Sequence, residues 1–410
     1  MKVSPLHHAP FRWLVLGTST SSLGNGIAPI ALAFAVLDLG GSASDLGIVV
    51  GLYALADVAA VLFGGVLGDR LPRAVLMQGA SAAAAVAQGV AAASLIGGWG
   101  SIPLLAVIGM LNGALGALGG PSSSAITVQT VPEVHLRQAI AWRRLSQNVA
   151  MIVGSGVAGI LVAVAGSGWA LALDAITFAV AAGCFSRIRV PALAVSASSG
   201  MFNEVGAGFR EVMRHTWLWI LILQALLYHL FYGGAQGVLG PIVVGDALGR
   251  PAWGWALSAM MTGFVAGGLL MLRWKPRRAL FVGTWFLALT ACFPFAMAWS
   301  ATGGSGALAV VLAGAFLHGF GLEIFSVGWD LSILQNVEPD KLSRVYSFDM
   351  IGSFIARPVG LALTGPIATA VGYRSWLVVV GTVILISVAA AFAVPEVRRL
   401  ERHADEPAAV

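Results

Sequence analysis

Charge is scarce in this chain. Asp and Glu number 18, Lys and Arg 23, and together they are 10% of 410 residues. Soluble domains carry about a quarter, so a soluble globular protein is excluded. Hydrophobic residues make up 58% and mean hydropathy is +0.88, an apolar load that only lipid can sequester. Cysteine is nearly absent. Cys184 and Cys292 lie in apolar segments far apart in the chain, which excludes a disulfide framework and metal-ligand spacing. Neither a metal nor a cofactor is expected. The chain also lacks a G-x-x-x-x-G-K-[ST] nucleotide loop, an H-E-x-x-H metal pair and a G-x-S-x-G elbow. No stretch between apolar runs is long enough for a catalytic domain, so the chain reads as no enzyme. Glycine, in contrast, is abundant at 52 residues. In lipid, such small residues let helix backbones approach closely.

The net charge of +5 suggests no nucleic-acid partner, because the basic residues fall in short links between apolar segments, as membrane orientation requires. The run from Phe11 to Leu37 follows Lys2 and Arg12. It exceeds the apolar core of a signal peptide, about 7–15 residues, and reads as an uncleaved first helix. A spanning helix needs about 20 mostly apolar residues. Twelve segments qualify, over residues 11–37, 43–68, 74–97, 102–126, 145–166, 168–187, 216–243, 253–272, 279–299, 306–328, 346–371 and 373–394. With the N-terminus inside, twenty Lys and Arg side chains fall on one side, only Arg250 and Arg374 on the other, and Arg357 within a span. That bias puts both termini in the cytoplasm and makes the chain a multi-pass protein of the cell membrane.

The longest internal link divides the chain into a six-helix bundle over 1–188, a linker over 189–215, a second six-helix bundle over 216–395 and a cytoplasmic tail over 396–410. Within the linker Phe202, Val205, Phe209, Val212 and Met213 recur at helical spacing, with Glu204, Arg210, Glu211 and Arg214 on the other side. The pattern suits an amphipathic helix on the membrane surface or a plain linker helix. The two halves look like repeats. Gln129-Thr130-Val131-Pro132-Glu133 with Arg137 is matched by Gln335-Asn336-Val337-Glu338-Pro339-Asp340 with Arg344. Parallel repeats with a site between them near mid-membrane are a transporter pattern.

Between the second and third segments lies Gly64-Gly65-Val66-Leu67-Gly68-Asp69-Arg70-Leu71-Pro72-Arg73. This stretch resembles the G-x-x-x-D-R-x-G-R/K loop of the major facilitator superfamily. Gly65, Asp69, Arg70 and Arg73 match, and Pro72 stands where the second Gly is usual. Its counterpart after the eighth segment keeps Gly267-Gly268, Arg273, Pro276, Arg277 and Arg278, with Leu272 in place of the acid. Further stretches are similar to the enterobactin-exporter and macrolide-efflux branch: Ser22-Leu23-Gly24-Asn25-Gly26, Leu39-Gly40-Gly41-Ser42-Ala43, Asp174-Ala175-Ile176-Thr177-Phe178, and Trp329-Asp330 through Gln335, Pro339 and Arg344-Val345. The resemblance implies an all-α membrane protein of twelve transmembrane helices in two pseudo-symmetric six-helix bundles, working by alternating access. It also implies efflux of a drug-like or siderophore-like molecule against protons, and a cytoplasmic gate loop at Gly65, Asp69, Arg70 and Arg73.

Charges inside spans are costly and tend to be functional. Asp57 lies mid-span, about three turns from Asp69, and is a coupling or substrate candidate. Glu323 and Arg357 fall at comparable depth, so an ion pair is feasible, either as a gate or as a staple. Asp174 joins them, with a structural role as its alternative. Asn25, Asn112, Gln224 and Gln236 are polar cavity candidates, and Tyr53 and Tyr228 are the deeper aromatic ones. His229 and His318 are lone histidines, of a kind more often packed than functional. The expected partners are a small-molecule substrate, protons as coupling ion and the lipid bilayer, around a monomer. A proton-coupled uptake symporter and a non-transporting scaffold are the competing readings.

Overall fold

The computed structural model describes residues 5–68, 72–190, 209–274, 276–302, 304–338 and 341–401. Asp69, Arg70, Phe202, Glu204, Val205, Pro339 and Asp340 therefore lie outside the described residues. Among the described residues twelve long helices follow one another. They are α1 (Ala9–Asp38), α2 (Ala43–Gly68), α3 (Arg73–Ile96), α4 (Ile102–Thr130), α5 (Glu133–Ala165), α6 (Ser167–Phe185), α7 (Thr216–Leu248), α8 (Arg250–Arg273), α9 (Ala279–Ser300), α10 (Ala307–Asn336), α11 (Arg344–Val371) and α12 (Tyr373–Ala393). Among the described residues eleven are long and apolar enough to cross a membrane; in α4 the described apolar stretch is Ile102–Leu118. No strand occurs among the described residues.

The helices outrun the apolar segments. α5 starts at Glu133, well before the apolar run at 145, and α10 continues to Asn336. Hydropathy marks only the lipid-embedded part, whereas the hydrogen-bonded backbone continues through Arg137, Arg143 and Arg144. Helix starts follow capping chemistry. Before α2, the Ser42 hydroxyl accepts from the Asp45 N–H at 3.2 Å, and the Asp45 carboxylate accepts from the Ser42 N–H at 2.8 Å. This reciprocal pair satisfies two of the free donors of a helix N-terminus. Each link after an odd-numbered helix holds one glycine at positive φ, namely Gly40, Gly98, Gly166, Gly249, Gly306 and Gly372. Only glycine takes that conformation without strain.

Three helices of the second sequence half are interrupted. α7 widens into a π-helical turn at Ala235–Leu239, after Gly233 and Gly234. α9 tightens into a 3₁₀ turn at Ala288–Ala291. α11 breaks at residues 355–356, between Leu342–Phe354 and Arg357–Val371, just before Pro358. Such breaks free backbone groups and often mark functional positions.

The chain forms two compact units. One comprises Met1–Ser198, Gly233–Ser258 and Pro358–Gly372; the other comprises Ser199–Tyr232, Ala259–Arg357 and Tyr373–Val410. In the first unit glycines set the crossings. Gly154 of α5 meets the Leu23 carbonyl of α1, and Gly26 meets the Met151 carbonyl. The ends of α7, α8 and α11 also belong here. A Cβ on Gly51 would lie 3.2 Å from the Pro358 carbonyl, and one on Gly254 would lie 2.5 Å from the Ser155 carbonyl. The Ser258 hydroxyl donates to the Ile152 carbonyl at 2.9 Å. Near the start of α1, Phe11, Leu14, Met77, Ile126 and Phe185 form an apolar core.

In the second unit, Trp217, Leu218, Leu280, Phe325, Trp329 and Ile333 form the core. Residues 209–214 are helical. Within them Val212 is buried, Phe209 and Met213 are exposed, and Glu211 turns inward rather than outward. Arg214 and Lys341 hold its carboxylate at 3.1 and 3.4 Å. Glu396 accepts from the Trp217 N–H at 3.1 Å and so caps the first turn of α7.

Candidate functional site

In the first unit the candidate residues lie on α1, α2 and α6. Tyr53 and Asp57 are one turn apart on α2, both partly buried. They stand against the bare strip of α4. A Cβ on Gly113 would run into the Tyr53 carbonyl and lie 3.3 Å from the Asp57 nitrogen, and one on Gly116 would lie 3.9 Å from the Tyr53 hydroxyl. On α1, Gly24 faces Asp174 of α6 while Gly26 faces α5. These two contacts turn Asn25 outward, where it is exposed. Asp174 is fully buried. Gly65 lies in α2, and Arg73 is the first residue of α3, directly after Pro72; with Asp69 and Arg70 not described, the loop is seen only at its two ends.

The most developed polar contact of this unit lies at the far end of α1. Arg250, the first residue of α8, grips the Asp38 carboxylate with both terminal nitrogens, one of them at 3.2 Å. The Ser167 hydroxyl donates to the same carboxylate at 3.0 Å, and the guanidinium stacks 5.0 Å above the Phe34 ring. The pair joins positions 212 residues apart in the chain. From sequence Arg250 counts only toward membrane orientation, and nothing singles out Asp38. A half-exposed ion pair is worth about 0.2–1 kcal/mol, and the ring contact adds about 0.5–1 kcal/mol. Arg250→Ala is therefore expected to loosen this end of the unit roughly fivefold in population. The expected readout is faster labelling, by a membrane-impermeant maleimide, of a cysteine introduced by Ala43→Cys. The double substitution Asp38→Arg with Arg250→Asp is expected to restore the slow rate.

Arg143 is one of the twenty basic residues that the charge pattern assigns to links between spans. It is instead buried on α5, donating to the Ser123 hydroxyl at 3.2 Å and to the Gln147 side-chain carbonyl at 3.1 Å. Its position within the first turns of a helix, ahead of the apolar run, concealed this.

The second unit gathers Tyr228, His229 and Tyr232 of α7 with His318 of α10. The His318 Nδ1 lies 2.8 Å from the Thr290 carbonyl in the 3₁₀ turn of α9, and Nε2 lies 2.8 Å from the Tyr228 hydroxyl. A carbonyl only accepts, so Nδ1 carries the hydrogen. In the neutral ring Nε2 then accepts, and Tyr228 donates. Tyr232 stacks on His318 at 4.2 Å and on Tyr228 at 5.0 Å. His229 packs on Phe354 at 4.3 Å, at the break in α11. Arg357 follows three residues later, and its charge acts on Tyr228, His229 and Tyr232. Glu323 leans instead over the bare face of α8; a Cβ on Gly267 would lie 3.0 Å from its Cβ, and one on Gly268 would lie 3.5 Å from Oε1. Tyr228 and Arg357 thus come within electrostatic range of one another, and Glu323 stands against α8. Among the described residues no group of three or more His, Cys, Asp and Glu could hold a metal ion.

Comparison with known proteins gives one consistent family. A family model described as Major Facilitator Superfamily matches residues 14–249. "Multidrug efflux pump Tap" of Mycolicibacterium fortuitum is 27% identical over 96% of this chain and 97% of its own length. "Macrolide efflux protein A" of Streptococcus pyogenes is 25% identical over 94% and 96%. Among solved structures, the nucleoside transporter NupG superposes with a TM-score of 0.75 at 12% identity, covering 94% of this chain and 98% of its own. A bacterial homologue of the iron transporter ferroportin, in an inward-facing state, gives 0.73 at 16% identity, with coverage of 94% and 98%. At such identities these two speak for the fold alone.

Proposed function

The chain belongs to the Major Facilitator Superfamily, a family of transporters rather than enzymes, and from that premise we propose that it is a proton-coupled exporter of drug-like or siderophore-like organic molecules. It works by alternating access in the cell membrane, as a monomer with both termini in the cytoplasm. The observation that carries this reading is that relatives aligned over nearly the whole chain are efflux proteins. The physical setting agrees with it. Intramembrane charge is costly and tends to be retained for function, and Asp57, Asp174, Glu323 and Arg357 are the charged candidates within the span sequences. Asp57, Asp174, Tyr53 and Asn25 form the substrate and coupling set of the first unit, and Tyr228, Glu323 and Arg357 that of the second. Gly65, Asp69, Arg70 and Arg73 latch the cytoplasmic side. On the outer side, the ion pair of Asp38 with Arg250 and the glycine crossings of α2 with α11 and α5 with α8 form the opposing closure.

Cells expressing the protein should exclude ethidium and erythromycin, and a protonophore should abolish the exclusion. Accumulation in place of exclusion would reverse the direction of transport and favour uptake. Asp57→Asn is expected to cut efflux by about tenfold, equivalent to about 1.4 kcal/mol, with the amount of folded protein in the membrane unchanged. Efflux at the wild-type rate would remove Asp57 from the mechanism.

A further inference from the structure

Asp174 occupies a place that suits no ordinary carboxylate. Its exposure is 0%, and neither side-chain oxygen has a hydrogen-bond partner among the described residues. The Gln88 side chain of α3 and the Thr177 hydroxyl of α6 come within electrostatic reach of the carboxyl without a well-formed hydrogen bond to it, and the Thr177 hydroxyl donates at 2.7 Å to the backbone carbonyl of Asp174. Gly24 of α1 lies so close that a Cβ there would overlap both Oδ1 and the Thr177 hydroxyl.

Among the described residues, the helices packed on α6 place no countercharge here. α6 packs on α1, α3 and α5 and carries no other ionisable carboxyl or base. α1 is charged only at Arg12 and Asp38, near its two ends, and Asp38 is committed to Arg250 and Ser167. α3 is charged only at Arg73, its first residue. On α5, Glu133, His135, Arg137, Arg143 and Arg144 all lie ahead of the apolar part of the helix, before residue 145. Burying an isolated carboxylate costs far more than a hydrogen-bonded neutral group, so this pocket accommodates the acid and rejects the anion.

We propose that Asp174 is the group that carries the coupling proton, held as the neutral acid while α1 and α6 are closed at Gly24. The proposal rests on the proton-coupled reading above and assigns its proton to one residue. When α1 parts from α6, water reaches the carboxyl, the O–H bond breaks, the proton passes to water and the carboxylate is left solvated. Reprotonation from water on the other side precedes closure. Gly24 suits this motion. It places bare backbone over the acid, so a small displacement of α1 admits water where a side chain would have to swing aside.

The test uses the purified full chain in proteoliposomes, with ethidium as the probe. Wild type should move ethidium under a pH gradient and should also exchange it at equilibrium. Asp174→Asn, which imitates the neutral acid, should lose gradient-driven movement at least tenfold and keep equilibrium exchange. Asp174→Glu should restore part of the gradient-driven rate. Gradient-driven transport at the wild-type rate in Asp174→Asn would overturn the proposal. So would loss of both modes in a variant whose thermal midpoint is unchanged, since the residue would then serve substrate or structure. If Asp174→Asn does not fold, infrared difference spectra of wild type decide. A protonated-carboxyl band that disappears on ethidium binding, and is restored on washing, supports the assignment; a band indifferent to ethidium refutes it. A wild type indifferent to the pH gradient would bring down the proton-coupled reading itself and this assignment with it.

Discussion

Gly319→Val is expected to remove most of the folded protein from the membrane, whereas Gly79→Val and Gly89→Val should leave its amount unchanged. The reason is a reciprocal crossing of α8 and α10. A Cβ on Gly319 would run into the Met260 carbonyl and lie 3.1 Å from the Phe264 nitrogen; one on Gly263 would run into the Phe316 carbonyl and lie 2.8 Å from the Phe320 nitrogen. The two backbones touch, so neither can yield by rotating a side chain. In lipid no hydrophobic effect pulls helices together, and association rests on such close packing. Overpacking a core costs about 1–3 kcal/mol where side chains can adjust. Against backbone the cost is at the upper end of that range or beyond. Gly79 and Gly89 of α3 have open space where a side chain would go, and valine there meets nothing. Fluorescence-detected size exclusion, with a thermal ramp, measures both. A monodisperse Gly319→Val protein with the wild-type midpoint would refute the crossing.

That contrast bears on what a sequence can disclose. The twelve helices were legible because lipid admits few backbone solutions, and each span needs its own apolar run. The family was legible in Gly65 and Arg73 with Asp69 and Arg70, and in the Asp174-to-Phe178 stretch. Glycine abundance signalled close packing, but not which glycines were in contact. Gly79 and Gly263 look alike in the chain and differ entirely in their surroundings. The breaks in α7 and α9 fall inside apolar runs, where no change of hydropathy announces them, and that in α11 stands just before Arg357 and Pro358. Gly233-Gly234 and Pro358 were the available hints. Asp38 ends one helix and Arg250 starts another, 212 residues apart, and only folding brings the carboxylate to the guanidinium. Buried Arg143 was hidden for the opposite reason, since it stands in a charged turn that hydropathy assigns to a loop. The six positive-φ glycines were recoverable from sequence, because each sits in the short link after an odd-numbered helix.

His318→Leu is expected to destabilise the second unit by about 3 kcal/mol, and removing a second polar group should return part of that loss. His318 is 1% exposed and satisfies two groups at once, the Thr290 carbonyl and the Tyr228 hydroxyl. Thr290 depends on it because the 3₁₀ turn at Ala288–Ala291 disturbs the regular ladder of α9. Leucine fills much of the volume but leaves both groups orphaned, at about 1–3 kcal/mol each. It also ends the aromatic stack on Tyr232, worth about 0.5–1.5 kcal/mol. Interhelical hydrogen bonds in membranes average nearer about 0.6 kcal/mol, which holds the total toward the lower end of that sum. Tyr228→Phe alone removes a donor and leaves only Nε2 wanting, so it should cost about 1 kcal/mol. In the His318→Leu background the same change removes an orphan and should raise the thermal midpoint. The two substitutions therefore couple with opposite signs, a result that independent packing defects do not give. The transport readout follows the same logic. Tyr228 loses its fixed hydroxyl direction beside Arg357, so His318→Leu protein that still folds should handle substrate as poorly as Tyr228→Phe, and the double variant no worse. Additive losses of stability in the double variant would mean that the bond between Tyr228 and His318 does not hold α7 to α10.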